Sequence, residues 1–274
     1  MTSTTAIDRT AITEALYGPG ITALQGAFSP EWGDRLREDI EREFALAKDR
    51  EGGAIGRGRN RWYVEVHPEA IRGFLDIVGH PWFRAVCEEV LGADYRVVEI
   101  GFDIPFPGAR NQPWHRDFAA PPETTQEHRL TSLAFNLTAV DTEPDMGPFE
   151  IALGTQFDDD PSFDHGMFPP KDWYPRFEER AVRKFPRRGD MSARSALTIH
   201  RGTESSSQTA RPVLVVGVDA PGAGHDEFHD LQVSQAYWDS VPDDVKPHLA
   251  ARVVDELVPI VQQHSIEGLV MGDE

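Results

Sequence analysis

Apolar residues recur at i+4 steps from Trp32 through Leu36 and Ile40 to Phe44, behind a Ser29-Pro30 pair that offers an N-cap and a first helical position. The spacing predicts an amphipathic helix lying on another layer. A flexible glycine-rich loop follows at 51–60, then the strand-like RWYVEV (61–66) and a short helix, PWFRAVCEEVLG (81–92), closed by Gly92. Beyond residue 93 the texture turns extended. DYRVVEIGFDIPF, LTSLAFNLTAV, ERAVRKF, MSARSALTIH and RPVLVVGVDA are rich in β-branched or aromatic residues and are separated by Pro, Gly and Asp clusters. Strands without interleaved helices argue against a doubly wound parallel sheet and for a sandwich or jelly-roll barrel. From Asp230 helical spacing returns, predicting two helices broken near Pro242. The expected organisation is one domain, mainly β with flanking helices. It comprises an N-terminal helical or lid region (1–92), a jelly-roll core (93–220) and C-terminal helices (221–274), with frayed extreme ends.

Composition narrows the partners. The 274 residues suffice for a sizeable core, and 46 Asp plus Glu against 27 Lys plus Arg give a net charge of −19, which repels a polyphosphate. No nucleic-acid partner is expected. The single cysteine, Cys87, falls in a helix-like stretch and is expected in the core; it makes no internal disulfide, and no CxxC pair is present to hold zinc or an iron–sulfur cluster. The chain start lacks a basic segment followed by an apolar one, and no apolar run reaches about 18 residues, so the expectation is a soluble, cytoplasmic protein with no membrane partner. Only Lys48, Lys171, Lys184 and Lys246 are lysines. The positive charge is therefore mostly arginine, which suits bidentate capture of carboxylates.

The sharpest chemical signal is NQPWHRDF (111–118). His115 and Asp117 are two apart, so on a strand both side chains share a face and can share a metal ion. Such a triplet alone is common. A second cluster, LTIHRGTESSSQTARPVLVVGV, adds His200 at the end of one predicted strand and Arg211 at the start of the next. Two imidazoles and one carboxylate on one face of iron leave three adjacent positions open, the arrangement of non-haem Fe(II) oxygenases. Two of these positions can take a 2-oxo acid and the third O₂. The distal carboxylate of 2-oxoglutarate then needs a guanidinium, for which Arg211 is the candidate. The alternative for Arg211 is a strand-opening arginine paired with a surface aspartate.

The HxD, the later His and an Arg eleven residues beyond it resemble the phytanoyl-CoA dioxygenase family of Fe(II)/2-oxoglutarate-dependent oxygenases. LTSLAFNLTAVDTEPDMGPFEIALGTQF is similar to the family's strand and Gly-Pro turn, and RRGDMSARSALTIHRG to its Gly-Asp turn, strand and distal His. The resemblance spans residues 95–220 and, more loosely, GPGITALQGAFSPEW. It implies a double-stranded β-helix core, iron held by His115, Asp117 and His200, and 2-oxoglutarate anchored by Arg211. LGTQF (153–157) departs from the family's Ser-His ending, so a contact at the pocket rim is expected to differ. The related halogenases carry Gly or Ala at the position of Asp117; the aspartate implies hydroxylation or another oxidation.

Further candidates follow from position. Gln112 and Asn136 are placed to hydrogen-bond 2-oxoglutarate or to serve as structural amides, and Thr203, with Ser205, could offer a hydroxyl to its distal carboxylate. Arg116 should point away from the metal. Arg57, Arg59 and Arg61 with Trp62 and Tyr63 form either a lid that meets an anionic substrate or an exposed arginine loop. HDEFH (225–229) spaces two histidines as a zinc pair would, but Asp226 stands where a metalloprotease needs Glu, and PGAG before it favours a loop. HRDF has Pro122 where a kinase catalytic loop needs Asn. The function expected is oxidation of an unactivated C–H bond of a small molecule, a specialised metabolite, using Fe(II), 2-oxoglutarate and O₂ with release of succinate and CO₂. The alternatives are a non-catalytic jelly-roll binding protein and an oxygenase acting on a protein or acyl-CoA substrate.

Overall fold

The computed structural model describes residues 7–261. Helices α1 (Arg9–Tyr17), α2 (Pro30–Lys48), α3 (Phe74–Val78) and α4 (Pro81–Leu91) alternate with strands β1 (Ile21–Leu24), β2 (Ile55–Gly56) and β3 (Arg61–Glu65). Next come β4 (Arg96–Pro105), the single turn α5 (Pro122–Thr125), β5 (Ser132–Thr138), β6 (Phe149–Ala152), α6 (Tyr174–Glu178) and β7 (Ala181–Arg183). Strands β8 (Met191–Ser195), β9 (His200–Gly202) and β10 (Val213–Asp219) complete the core, followed by β11 (Gln232–Ser234), α7 (Gln235–Ser240) and β12 (Arg252–Val254). The strands form a major antiparallel sheet in the order β1-β8-β5-β10-β4-β3-β2, a minor sheet β7-β6-β9 and a parallel pair β11-β12. The jelly-roll reading of the sequence therefore holds.

Period-two alternation explains why the two sheets enclose a cavity rather than a dry core. Along β5, Leu133, Phe135 and Leu137 pack outward into the main apolar cluster, whereas Ala134, Asn136 and Thr138 face inward. Likewise Leu214 and Val216 of β10 point outward, and Val213, Val215 and Gly217 inward. The outward face is covered by the N-terminal helices, with the Phe83 ring of α4 4.2 Å from that of Phe135. Helix α2 begins as expected, with the Ser29 hydroxyl accepting from the Trp32 N–H at 3.3 Å, and it buries Trp32, Leu36 and Ile40. Helix α4 ends at Gly92, and Cys87 is fully buried on it.

Several expectations are corrected. The N-terminal region is more than a helical lid, because β1 pairs with β8 and β3 with β4 in the major sheet. The 51–60 loop contains β2. Order begins within the roughly ten N-terminal residues expected to fray: α1 starts at Arg9, capped by Asp8 Oδ1 accepting from the Ala11 N–H at 3.0 Å. Of the two C-terminal helices, only α7 forms among the described residues. In place of the second, Val253 and Val254 pair with Val233 and Ser234, β-branched residues that gain a strand partner after Pro242 and Pro247 have broken the helical run. Residues 1–6 and 262–274, with the rest of that predicted helix and the expected fraying at both ends, lie outside the described residues. Among the described residues no helix is long and apolar enough to cross a membrane.

Candidate active site

The HxD triplet does not sit on a regular strand. It is a short irregular segment after Pro113, tied to the start of β9 by His115 N–H to His200 C=O at 3.0 Å and the reverse bond at 2.8 Å, and to the β8–β9 connection by Asp117 N–H to Ala196 C=O at 3.0 Å. The consequence expected of a strand still follows. One donor atom from each of His115, Asp117 and His200 lies within 4.8 Å of the other two.

Backbone carbonyls set both tautomers. His115 Nδ1 lies 2.8 Å from the Pro113 oxygen and His200 Nδ1 2.9 Å from the Thr198 oxygen; a carbonyl only accepts, so each Nδ1 carries the proton and each Nε2 presents its lone pair. Burial pushes His115 down to about 4 and His200 well below its ordinary value. For Asp117 burial opposes ionisation, but the Arg194 guanidinium and the imidazoles outweigh it and hold the carboxyl at about 2. At neutral pH the three groups are thus two neutral imidazoles and a carboxylate, the donor set that suits a divalent iron.

Arg194, on β8, was not anticipated. Its Nη1 donates to Asp117 Oδ2 at 2.7 Å and its Nη2 to Oδ1 at 3.2 Å. The available signal was an arginine among small residues of a strand that leads into the distal histidine.

All of these groups face a cavity of about 840 Å³ between the sheets. Arg211 lines it, with only 4% of its surface exposed, and its Nε donates to the Gly147 oxygen at 3.1 Å and the Met146 oxygen at 3.3 Å. Burial, then the neighbouring Arg61 charge, lower Arg211 to about 10. That is a buried cation in need of an anion. Arg61 is buried too, donating to Asp103 at 2.8 Å and to the Thr203 carbonyl at 3.0 Å. It is a wall of the cavity, not part of an exposed lid; Arg57 lies 5.2 Å over the Tyr63 ring, and Arg59 is exposed.

The remaining candidates divide. Asn136 faces the cavity from the middle of β5. Gln112 also borders it, but its amide is occupied, accepting from the Gly202 N–H at 2.8 Å and donating to the Arg57 carbonyl at 3.3 Å. Thr203 is corrected: its hydroxyl donates to the Pro148 carbonyl at 2.7 Å, and the residue does not line the cavity. Ser205 donates to the Asp145 carbonyl at 3.3 Å. The side chain of Arg116 turns away as expected, to Gly166, Asp158 and Asp159. The departure at LGTQF does not reach the rim: Gln156 is fully buried, and its Nε2 donates to the carbonyls of Leu16, Tyr17 and Gly18 at 2.9–3.2 Å. The HDEFH histidines do not converge. His225 Nδ1 meets Asp219 at 3.0 Å, and His229 Nδ1 meets Glu65 at 3.2 Å.

Fold and donor set together are those of the 2-oxoglutarate-dependent iron oxygenases, and the protein is an enzyme of that class. The chain belongs to the phytanoyl-CoA dioxygenase (PhyH) family, whose profile matches residues 17–213. No curated protein matches it significantly. Solved structures share the fold at low identity. HygX from Streptomyces hygroscopicus, with nickel and 2-oxoglutarate bound, is 13% identical, with a TM-score of 0.59 over 83% of this chain and 91% of its own. EctD from S. alaskensis, with 2-oxoglutarate and 5-hydroxyectoine, is 13% identical, with a TM-score of 0.61 over 80% of this chain and 78% of its own. SnoK, a non-haem α-ketoglutarate-dependent carbocyclase from nogalamycin biosynthesis, is 17% identical, with a TM-score of 0.59 over 80% and 89%.

Proposed function

We propose that the enzyme hydroxylates or otherwise oxidises an unactivated C–H bond of a small molecule, a specialised metabolite, with His115, Asp117 and His200 holding Fe(II) and Arg211 anchoring 2-oxoglutarate. The observation that carries this reading is the convergence of the three donor atoms within 4.8 Å in the cavity that Arg211 also lines. Iron with 2-oxoglutarate and O₂ supplies the oxidant for C–H cleavage, with succinate and CO₂ as co-products.

The chain's own groups do the positioning. Arg211, already turned by the Met146 and Gly147 carbonyls, offers its terminal nitrogens to the distal carboxylate, and Arg61 beside it adds positive potential. Asn136 can hydrogen-bond the co-substrate from the cavity floor. Arg194 grips one oxygen of Asp117 closely and so favours ligation through the other. Asp117 fills the position that a halide would need, which favours oxygenation. The cavity has room for the co-substrate and one small molecule, and the 5-hydroxyectoine of EctD and the carbocyclase activity named for SnoK support such a substrate class. The lack of a paired cysteine fits action in the cytoplasm.

The test is spectroscopic. Anaerobic protein given Fe(II) and then 2-oxoglutarate is expected to develop a visible metal-to-ligand charge-transfer band, and to form succinate on admission of air. No band and no succinate would overturn the proposal.

A further inference from the structure

The cavity has a second pole, away from Arg211, where Tyr63, Glu65, Glu99 and His229 meet. His229 Nδ1 lies 3.2 Å from Glu65 Oε2 and its Nε2 4.0 Å from Glu99 Oε2, while the Tyr63 hydroxyl donates to Glu99 Oε1. Phe228, which precedes His229 in the chain and has 53% of its surface exposed, also lines the cavity.

The backbone is shaped for this cluster. β4 carries one extra residue against β10: Glu99 pairs with Gly217 and Val97 with Val218, so Val98 bulges just beyond Glu99, which faces the cavity in step with Asp103. A Cβ on Gly217 would lie 2.9 Å from Glu99 Cβ and 3.0 Å from Glu99 Oε2. A Cβ on Gly101 would lie 2.6 Å from Tyr63 Cζ. Both glycines sit inside central strands, where glycine weakens a sheet, and both leave the space that an acidic or phenolic side chain then occupies.

The register joins this pole to the metal donors. Glu99 pairs with Gly217, Gly217 with Ala134 and Ala134 with Arg194, the residue that grips Asp117. The row crosses four strands, about 14 Å at the usual strand spacing. Its two middle members have almost no side chain, so a trough runs from Glu99 to Asp117.

Charge identifies what fits there. His229 is held up at about 8: burial opposes its charge, but the hydrogen bond to Glu65 and the Glu99 carboxylate outweigh it. The His229 imidazolium thus lies between two carboxylates, and it is closer to Glu65. Among the described residues Glu99 meets a phenol and a more distant imidazolium, and burial pushes its carboxyl above the ordinary value. A cation on a ligand would restore its charge balance.

We propose that this pole binds a protonated amine of the substrate, making the substrate a small amine-bearing molecule whose reacting C–H bond lies toward the Asp117 end of the trough. The inference rests on the function proposed above.

Metal-free protein titrated with cyclohexylmethylamine, its N-acetyl derivative and cyclohexylmethanol, followed by saturation-transfer NMR, tests it. The amine is expected to bind at least about tenfold more tightly than either neutral probe. Glu99→Gln should remove that preference, and so should Gly217→Ala, which displaces Glu99 without changing its charge; if Glu99→Gln does not fold, Gly217→Ala decides. Equal binding of the three probes, a preference that survives in the folded variants, or no amine binding up to about 10 mM would overturn the inference. The charge-transfer band of the same wild-type protein reports separately on the enzyme function. A band without amine preference defeats only the inference, and amine preference without a band defeats only the function.

Discussion

Arg194 Nη1 donates to Asp117 Oδ2 at 2.7 Å while Asp117 Oδ1 lies 3.4 Å from His200 Nε2. A residue on β8 thereby fixes the carboxylate through both oxygens, Oδ2 more closely than Oδ1. Losing that grip frees the carboxylate to rotate. Arg194→Met is expected to weaken metal binding by about 10–100-fold, measured by titration with Co(II) and its visible absorption, and Arg194→Lys should recover part of the loss. Unchanged Co(II) affinity in a folded Arg194→Met protein would show that the contact does not orient the ligand.

The two ends of the proposed iron and 2-oxoglutarate site should separate experimentally. His115→Ala is expected to abolish the charge-transfer band. Arg211→Ala should retain metal binding but raise the 2-oxoglutarate concentration for half-saturation by about 30-fold or more, the cost of leaving a carboxylate without its partner. If that concentration does not move, Arg211 is not the anchor.

Gly202→Ala tests whether Arg61 matters to the same end. A Cβ there would sit 2.5 Å from the Arg61 Cζ and 2.6 Å from its Nη2, so the guanidinium must shift. The expected result is weaker 2-oxoglutarate binding, by about threefold to tenfold, with metal affinity retained.

The His229 pair gives a pH signature. Its folded value of about 8 lies above the ordinary 6.5, so the stabilisation is fully present below 6.5 and is lost as pH rises through 8. The loss is of the order of 1–2 kcal/mol. Urea unfolding between pH 6 and 9 should show this fall in wild type and not in His229→Gln, and the His229 Cε1–H resonance should titrate near 8.

Gln156 closes the C-terminal end of α1 with three carbonyl contacts. Gln156→Leu leaves those oxygens without a donor and should cost about 1–3 kcal/mol. Hydrogen exchange should speed up selectively in α1; uniform destabilisation would mean that the amide does not secure that helix.

What could be read from the chain follows a physical division. Metal chemistry restricts residue type and local spacing, so His115, Asp117 and His200 stand out, and Arg211 follows from the carboxylate it would have to meet. Arg194 and Glu99 did not stand out because their meaning comes from cross-strand register, which places residues distant in sequence on one row. Thr203 was misassigned because a hydroxyl takes the nearest buried acceptor, here the Pro148 carbonyl. The last predicted helix failed for a similar reason: its valines fit either period, and the available partner, β11, was decisive.

The strand order also bears on how the enzyme is born. β1 pairs with β8, and β4 with β10, so strands made early at the ribosome wait for partners made much later. Such non-local pairing is slow and leaves open edges while synthesis continues. The donors at 115 and 117 cannot meet the one at 200 until the chain has been made through β8 and into β9. A growing chain therefore presents an incomplete set of the proposed ligands until residue 200 has been made, when most of the strands already exist.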